Sequence, residues 1–183
     1  MAYKNKELIN PLTGQDILFL QTAKDTNGEY LEMETTYHSN STEPPLHYHP
    51  SQSEDFNVLS GELTVKINGE KRILKQGDTL HINPNESHAM WNTSGNKAVV
   101  HWKVQPAMNT ENLFETINGL IKDGKTNSKG MPGILQLSLT VSKFSPVFRL
   151  AKPSYIIQKI LFSIIKPFAL LFGYRPVYKK YFD

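Results

Sequence analysis

Two neighbouring stretches decide the fold: HYHPSQSEDFNVLSG at residues 47–61 and GDTLHINPNESHAMWN at residues 77–92. The first stretch begins with His47 and His49, one residue apart. Alternate residues of a β-strand lie on the same face of the sheet, so both imidazoles can point at one atom. A third imidazole, His88, follows the glycine-containing turn of the second stretch. These positions predict a site built from several histidines.

A carboxylate extends this set of side chains. Glu54 comes five residues after His49, so strict alternation along one strand would place it on the opposite face. We therefore expect the strand to bend or bulge near Pro50 and Ser51. From Glu54 the alternation resumes, with Phe56 on the same side. Three neutral imidazoles and one carboxylate form a ligand set that suits divalent Fe, Mn, Ni, Cu or Zn.

The order of these residues resembles the cupin superfamily. The first cupin motif, G(x)5HxH(x)3–4E(x)6G, is matched from His47 to Gly61, and only its leading glycine is replaced, by Ser41. The second motif, G(x)5PxGxxHxxxN, is matched at its first glycine, its histidine and its asparagine. Asn83 and Asn85 stand where the family has proline and a second glycine. Asparagine tolerates a positive φ better than most residues other than glycine, so we expect the turn to keep its shape.

The resemblance covers roughly residues 10–106 and implies an all-β fold, a cupin jelly-roll barrel of about six to eight strands with a metal inside it. It implies that one divalent transition metal is bound by four residues: His47, His49, Glu54 and His88. Glu54 would also be the catalytic base. The candidate pocket residues are Tyr48, Phe56, Met90 and Trp102. The two ends of the chain look like those of small one-domain bacterial cupins with a hydrophobic C-terminal extension, a group labelled quercetin-dioxygenase-like.

Turn signals divide the first part of the chain into short strands. Asn68-Gly69, between ELTVKI and EKRIL, predicts a hairpin, because a type I′ turn needs a positive φ at both central residues. Beyond Pro106 the pattern changes: residues 109–125 have a helical period, and residues 134–152 are ambiguous between strand and helix. We therefore predict a cupin β-barrel over residues 1–106 and a helical, hydrophobic extension packed on the barrel over residues 107–183.

Residues 154–173, SYIIQKILFSIIKPFALLFG, have the length of a membrane span, but they include Lys159 and Lys166 and are interrupted by Pro167. On a helix, the isoleucines gather on one side and the polar residues on the other. We therefore expect an amphipathic helix that does not cross a bilayer, with its apolar face packed on the barrel or across a dimer. The rival interpretation is a helix that lies on an anionic membrane surface.

Composition excludes several classes of protein. The absence of cysteine excludes disulfides, thiolate metal sites and cysteine nucleophiles. Residues 1–142 carry 12 Lys and Arg against 16 Asp and Glu, a net charge of −4, whereas residues 143–183 carry 8 against 1, a net charge of +7. Only 3 residues are arginine, so no nucleic-acid partner is expected. The N-terminus lacks an apolar secretory signal, so we expect the cytoplasm. Open sheet edges predict a homodimer, paired through strands near residues 15–37.

Three functions are compatible with this pattern. The first is a metal-dependent oxidoreductase of the dioxygenase type that acts on a small apolar or aromatic molecule. The second is a non-catalytic cupin that binds a small molecule. The third is a sugar isomerase or epimerase, and for a phosphorylated sugar it would need cations in the barrel, for which the candidates are Lys66, Lys71, Arg72 and Lys103. The other histidines, His38, His81 and His101, are expected to be structural.

Overall fold

The computed structural model describes residues 1–182, which form two antiparallel sheets and three α-helices. The strands are β1 (Glu7–Leu8), β2 (Gln15–Gln21), β3 (Leu31–Tyr37), β4 (His47–Tyr48), β5 (Ser53–Ser60), β6 (Glu62–Ile67), β7 (Glu70–Lys75), β8 (Thr79–Ile82), β9 (His88–Trp91), β10 (Ala98–Gln105) and β11 (Arg149–Leu150). The helices are α1 (Thr110–Lys122), α2 (Ile134–Lys143) and α3 (Tyr155–Leu171), and one turn of 3₁₀ helix spans Lys179–Tyr181.

The strands form a six-stranded sheet in the order β1-β2-β3-β10-β5-β8 and a five-stranded sheet in the order β11-β4-β9-β6-β7. Their apolar faces meet in one core that includes Phe19, Met33 and Val65. The predicted barrel is wrong in one respect, because no strand of one sheet pairs with a strand of the other within residues 1–182. Side chains of α1 and α2, such as Phe114 and Leu137, line a cavity together with residues of both sheets.

Burial follows the sequence pattern closely in this part of the chain. In β5, Glu54, Phe56 and Val58 are buried and the residues between them are exposed. The hairpin of β6 and β7 turns at Asn68 (φ 49°) and Gly69 (φ 95°), which confirms the positive φ at both positions that the Asn-Gly pair predicts. The cupin-type fold with a helical C-terminal part is therefore the observed architecture.

Residues 134–152, whose sequence was ambiguous between strand and helix, contain one element of each kind. This segment begins as helix α2 and then, after a short loop, contributes the two-residue strand β11, which pairs with β4 through Leu150 and His47. Helix α1 is anchored beside the sheets by Gln52, whose Nε2 donates hydrogen bonds to the carbonyls of Pro106 and Ala107 and to Thr110 Oγ1. These contacts place parts of the C-terminal half directly against the strands that carry the histidines.

Helix α3 packs on α2 through a narrow side made of Gln158, Phe162 and Ala169. Its apolar face is exposed instead, as Ile160 at 60% illustrates. The prediction that this face packs on the barrel is therefore wrong for a single chain, while packing across a dimer stays a prediction. None of the helices described is long and apolar enough to pass through a bilayer.

Candidate metal centre

Two of the predicted histidines are a cross-strand pair. His47 in β4 lies directly opposite His88 in β9, so their side chains share the inner face of the five-stranded sheet. His49 follows the end of β4, and its carbonyl accepts a hydrogen bond of 2.8 Å from the backbone N–H of Asn85. Asn85 has a φ of 66°, which confirms that this turn adopts the left-handed conformation with asparagine in place of glycine.

Glu54 reaches the histidines from the facing sheet. The chain leaves the five-stranded sheet after Tyr48 and enters the six-stranded sheet at Ser53, so the bend expected near Pro50 and Ser51 is a crossing between sheets. This crossing reverses the face that simple alternation would give to Glu54. Its carboxylate is fully buried and points toward the imidazoles.

All three imidazoles are held in the same way. The Nδ1 atoms of His47 and His88 each donate a hydrogen bond of 2.9 Å, to the carbonyls of Pro45 and Glu86. His49 Nδ1 donates a short hydrogen bond to the carbonyl of Val147. Since a neutral imidazole carries one proton, each ring with its proton on Nδ1 presents an unprotonated Nε2. Backbone carbonyls are common partners for the second nitrogen of metal-binding histidines.

The three rings form a tight cluster. The centroids of His47 and His88 lie 4.5 Å apart, and the centroid of His49 lies 5.2 Å from each of them. One ligand atom from each histidine lies within 4.8 Å of the others, so the group could hold a metal ion. Glu54 is outside this mutually close group, but its Oε1 lies 3.3 Å from His49 Nε2 and its Oε2 lies 2.9 Å from His88 Nε2.

When the three rings are neutral, as metal ligands must be, these close distances join lone pairs. With the protons on Nδ1, each Nε2 is a hydrogen-bond acceptor, and so is each carboxylate oxygen of Glu54. Among the residues described, His49 Nε2 and Glu54 Oε2 are buried without a hydrogen-bond partner. Buried acceptors that face one another at such distances call for a positive charge between them. The donor set, three imidazoles and a carboxylate, fits a divalent transition metal in that position.

The pKa shifts of these groups reflect burial and their mutual interaction. Burial, and then the neighbouring imidazoles of His88 and His49, hold the pKa of His47 well below its usual value, so this ring is neutral. Burial raises the pKa of Glu54, but the charge and hydrogen bonding of His49 and His88 outweigh it and lower the pKa overall. Burial lowers the pKa of His49, and the Glu54 carboxylate more than offsets it. The carboxylate is thus ionised, and the net charge of the site with a divalent ion would be about +1.

The histidines lie at the wall of a cavity of about 210 Å³ between the two sheets and the helices. Three of the four predicted pocket residues, Phe56, Met90 and Trp102, line it, whereas Tyr48 does not. Tyr48 follows His47 along β4 and so projects to the other face of the sheet, where it pairs with Arg149. The walls are mostly apolar, and Lys129 is the one lysine or arginine among the described residues that line the cavity.

Trp102 connects this pocket to the carboxylate. Its indole Nε1–H donates a hydrogen bond of 3.2 Å to Glu54 Oε1. The indole also stacks on Phe56, with centroids 5.3 Å apart and an angle of 22° between the rings. Burial by the aromatic pair and one donated hydrogen bond therefore fix the orientation of Glu54.

Sequence reasoning missed the contribution of the C-terminal half. Phe148 stacks on His47 with a centroid distance of 4.8 Å, and the carbonyl of Val147 holds His49. Phe114 of α1 lies 5.3 Å from Trp102. These residues belong to no motif, and Val147 acts through its backbone, so the sequence carried no signal that could have identified them.

The remaining histidines lie away from the cavity. His38 Nε2 pairs with Asp16 at 2.7 Å, His81 Nδ1 with Asp55 at 2.6 Å and His101 Nε2 with Glu32 at 2.8 Å. Each is a hydrogen-bonded contact at the surface or half-exposed, which is consistent with the structural role expected for all three.

Part of this chain is similar to one family model and to solved structures of low identity. The family model described as a cupin domain matches residues 33–104. A solved structure titled as a predicted oxalate decarboxylase from Thermotoga maritima is 22% identical, with a TM-score of 0.48 over 50% of this chain and 80% of that chain. An RmlC-like cupin from Shewanella frigidimarina is 20% identical, with a TM-score of 0.46 over 54% of this chain and 82% of that chain.

Curated relatives match a shorter part of the chain. An oxidoreductase of Arthrobotrys oligospora is 46% identical over 55 residues, which are 30% of this chain and 22% of the relative. An oxidoreductase of Penicillium terrestre is 35% identical over 80 residues, which are 43% of this chain and 29% of the relative. The chain thus spans less than a third of the length of either relative. The three histidines that could hold a metal ion all lie within residues 33–104, the range that matches the cupin-domain model.

Proposed function

We propose that this protein is a metal-dependent oxidoreductase that oxidises a small apolar or aromatic molecule with dioxygen. The observation that carries the proposal is the cluster of His47, His49 and His88, whose Nδ1 atoms all donate to carbonyls. The Nε2 atoms of His49 and His88 also lie against the Glu54 carboxylate. The names of the partial relatives, both oxidoreductases, support the reaction class.

The three histidines and Glu54 would hold the metal. A bound divalent transition metal would supply Lewis-acid and redox chemistry at the wall of the cavity. Glu54 is buried and oriented by the indole N–H of Trp102, so its carboxylate would be placed to accept a proton from a substrate hydroxyl when it is not bound to the metal. The rings of Phe56 and Phe148 and the surrounding apolar walls would exclude water from this position.

The chemistry of the cavity favours an uncharged substrate. A volume of about 210 Å³ suits a small molecule, and the mostly apolar lining would stabilise a ring or an alkyl group. The cations that a phosphorylated sugar would need are elsewhere, since Lys66, Lys71, Arg72 and Lys103 do not line the cavity. An isomerase or epimerase acting on a phosphorylated sugar is therefore not proposed.

The test begins with metal analysis of the purified protein. One equivalent of metal is expected, either retained or taken up from Fe, Mn, Ni, Cu and Zn offered separately under anaerobic conditions. Oxygen uptake is then measured with a panel of small phenols and enols. Glu54→Gln is the informative variant because it keeps the size of the side chain and removes its charge, and we expect it to lower turnover more than it lowers metal content.

Two outcomes would contradict the proposal. A protein that takes up none of the five metals stoichiometrically would remove the metal centre. A protein that takes up metal and binds aromatic ligands without consuming oxygen would instead be the non-catalytic small-molecule-binding cupin. The homodimer and the cytoplasmic location stay predictions that sedimentation and fractionation can check.

A further inference from the structure

Helix α3 presents its apolar side chains to solvent. Ile156, Ile160 and Leu171 are 71%, 60% and 80% exposed. Six further residues complete this surface, which we call the α3 apolar face: Ile157, Leu161, Ile164, Phe168, Leu170 and Phe172, each at least 41% exposed. Contiguous exposed apolar surface of this kind marks an interaction site.

The orientation of the helix is fixed by polar contacts on its other side. Gln158 is 2% exposed, and its Nε2 donates hydrogen bonds of 2.8 Å to the carbonyl of Leu150 and 2.7 Å to the carbonyl of Pro153. At about 100° per residue, Gln158, Phe162 and Ala169 fall within a narrow arc, and Ile160 lies directly opposite. The α3 apolar face therefore points straight away from the rest of the protein.

The charges around this face are positive. From residue 143 to residue 182 the chain has 8 lysines and arginines and no aspartate or glutamate. Lys159 and Lys166 are seven residues apart, so they lie along one flank of the α3 apolar face. Arg175 and Lys179 follow the end of the helix and are exposed. One tail lysine, Lys180, is paired with Asp123 at 2.6 Å.

A second copy of the chain is a poor occupant on these grounds. A two-fold dimer centred on α3 would bring the basic residues 143–182 of both copies to one interface. An apolar face with basic residues along its flank instead complements a surface that has an apolar interior under an anionic outer layer. That combination is the surface of a bilayer that contains acidic lipids.

We propose that α3 docks the protein on an anionic lipid surface, with the helix lying in the plane of the interface. Its 17 residues form a rod about 25 Å long, which can lie flat without crossing the bilayer. The isoleucines and phenylalanines would enter the boundary between headgroups and acyl chains, and the stems of Lys159 and Lys166 would extend to the phosphates.

The test is co-sedimentation of the full chain with vesicles. Two preparations are used: phosphatidylcholine alone, and phosphatidylcholine mixed with phosphatidylglycerol. We expect the protein to sediment with the mixed vesicles and to be released from them in part by high salt, because salt screens the lysine contacts. The double substitution Ile160→Gln with Ile164→Gln is expected to weaken partitioning about tenfold or more.

A matched control comes from another exposed isoleucine. Ile73 of β7 is 53% exposed but lies outside the α3 apolar face, so Ile73→Gln should leave sedimentation unchanged. Lys159→Glu with Lys166→Glu should abolish the preference for phosphatidylglycerol. Thermal melting in the absence of vesicles verifies that each variant is folded, since all five side chains lie outside the core.

Two results would overturn the proposal. One is equal, low sedimentation with both kinds of vesicle. The other is a wild-type dimer, measured by light scattering, that Ile160→Gln with Ile164→Gln converts to a monomer, because a second copy would then be what covers the helix. Vesicle binding lost in Ile73→Gln as well would show non-specific adsorption and would also count against α3 as the docking element.

Discussion

Strand β5 and helix α3 are both amphipathic, yet β5 turns its apolar side chains to the interior and α3 turns them to the surface. In β5, Phe56 and Val58 are buried against the facing sheet. In α3, Gln158 is buried and Ile160 is 60% exposed. The pattern of apolar residues therefore shows which face is apolar, but not which face is turned inward.

A buried polar side chain decides the orientation in both elements. On the inner face of β5, Glu54 meets the imidazoles of His49 and His88, and on the inner side of α3, Gln158 donates to two backbone carbonyls. A buried carbonyl without a donor is costly, so the hydrogen bonds of Gln158 favour the observed orientation of α3. The following predictions test this difference, beginning with the largest expected effect.

Removing a histidine from the β4–β9 pair should affect metal binding most. His88→Ala deletes one of three imidazoles, and we expect metal affinity to fall by more than about 100-fold, a larger loss than removal of an outer contact gives. The fold should survive, because the core between the sheets is apolar. Metal content after dialysis measures the effect, and His81→Ala is the control. Full occupancy in His88→Ala would refute the assignment.

Rigidity at the end of β5 can be tested at Gly61. This residue has a φ of 76°, and an added Cβ would lie 2.4 Å from the carbonyl oxygen of Lys97. Gly61→Ala should therefore lower the free energy of unfolding by about 2–3 kcal/mol. Gly77 has a φ of 90° with nothing near the position of a Cβ, so Gly77→Ala should cost only about 1 kcal/mol. Equal losses in denaturant titrations would show that the backbone around Gly61 moves aside easily.

The hydrogen bonds that orient α3 can be removed without changing volume much. Gln158→Leu leaves the carbonyls of Leu150 and Pro153 without their donor, and we expect a loss of about 2 kcal/mol. Limited proteolysis should then cut between residues 150 and 175 sooner than in the wild type. An unchanged digestion pattern would mean that apolar packing at Phe162 and Ala169 is sufficient to hold the helix.

The indole that orients Glu54 can be tested with a conservative change. Trp102→Phe removes the N–H that donates to Glu54 Oε1 and keeps an aromatic ring beside Phe56. We expect metal affinity to fall about tenfold, as is usual for a contact behind a ligand. Phe56→Leu is the comparison, because it alters the stacking alone. Isothermal titration would decide between a hydrogen-bonding and a packing role, since only the former predicts a larger effect at Trp102.

The smallest effect is expected on the exposed face of α3. Ile160→Ser should change the free energy of unfolding by no more than about 0.5 kcal/mol in the absence of lipid, because the side chain is 60% exposed. Chemical denaturation checks this value. A loss comparable to that of Gln158→Leu would mean that the face is covered in solution and that the contrast with β5 does not hold.

The sequence alone predicted most of the strands within residues 1–106, because the signals for them are local. Asn68-Gly69 sets a hairpin, alternation sets the inner face of β5, and the spacing from His47 to His88 places residues that the sheets then bring together. Glu54 required one non-local fact, the crossing between sheets after Tyr48, which Pro50 only suggests.

Sequence could not supply the C-terminal contribution for a physical reason. Val147 acts through its carbonyl, and Phe148 reaches His47 only because residues 149–150 join the edge of a sheet about 100 residues earlier in the chain. Likewise, the burial of Gln158 depends on two carbonyls whose positions are set by that same edge strand. Neither contact leaves a periodic signal.

The hydrogen bond between His49 and the carbonyl of Val147 couples the imidazole cluster to the C-terminal segment. The segment that fixes His49 through Val147 and covers His47 with Phe148 continues directly into α3. If docking of this segment raises the affinity for metal by a certain factor, bound metal must raise the equilibrium constant for docking by the same factor. In a form of the protein that binds metal as proposed, loss of the metal would thus loosen the chain just before the apolar helix, and contacts that hold the helix would strengthen retention of the metal.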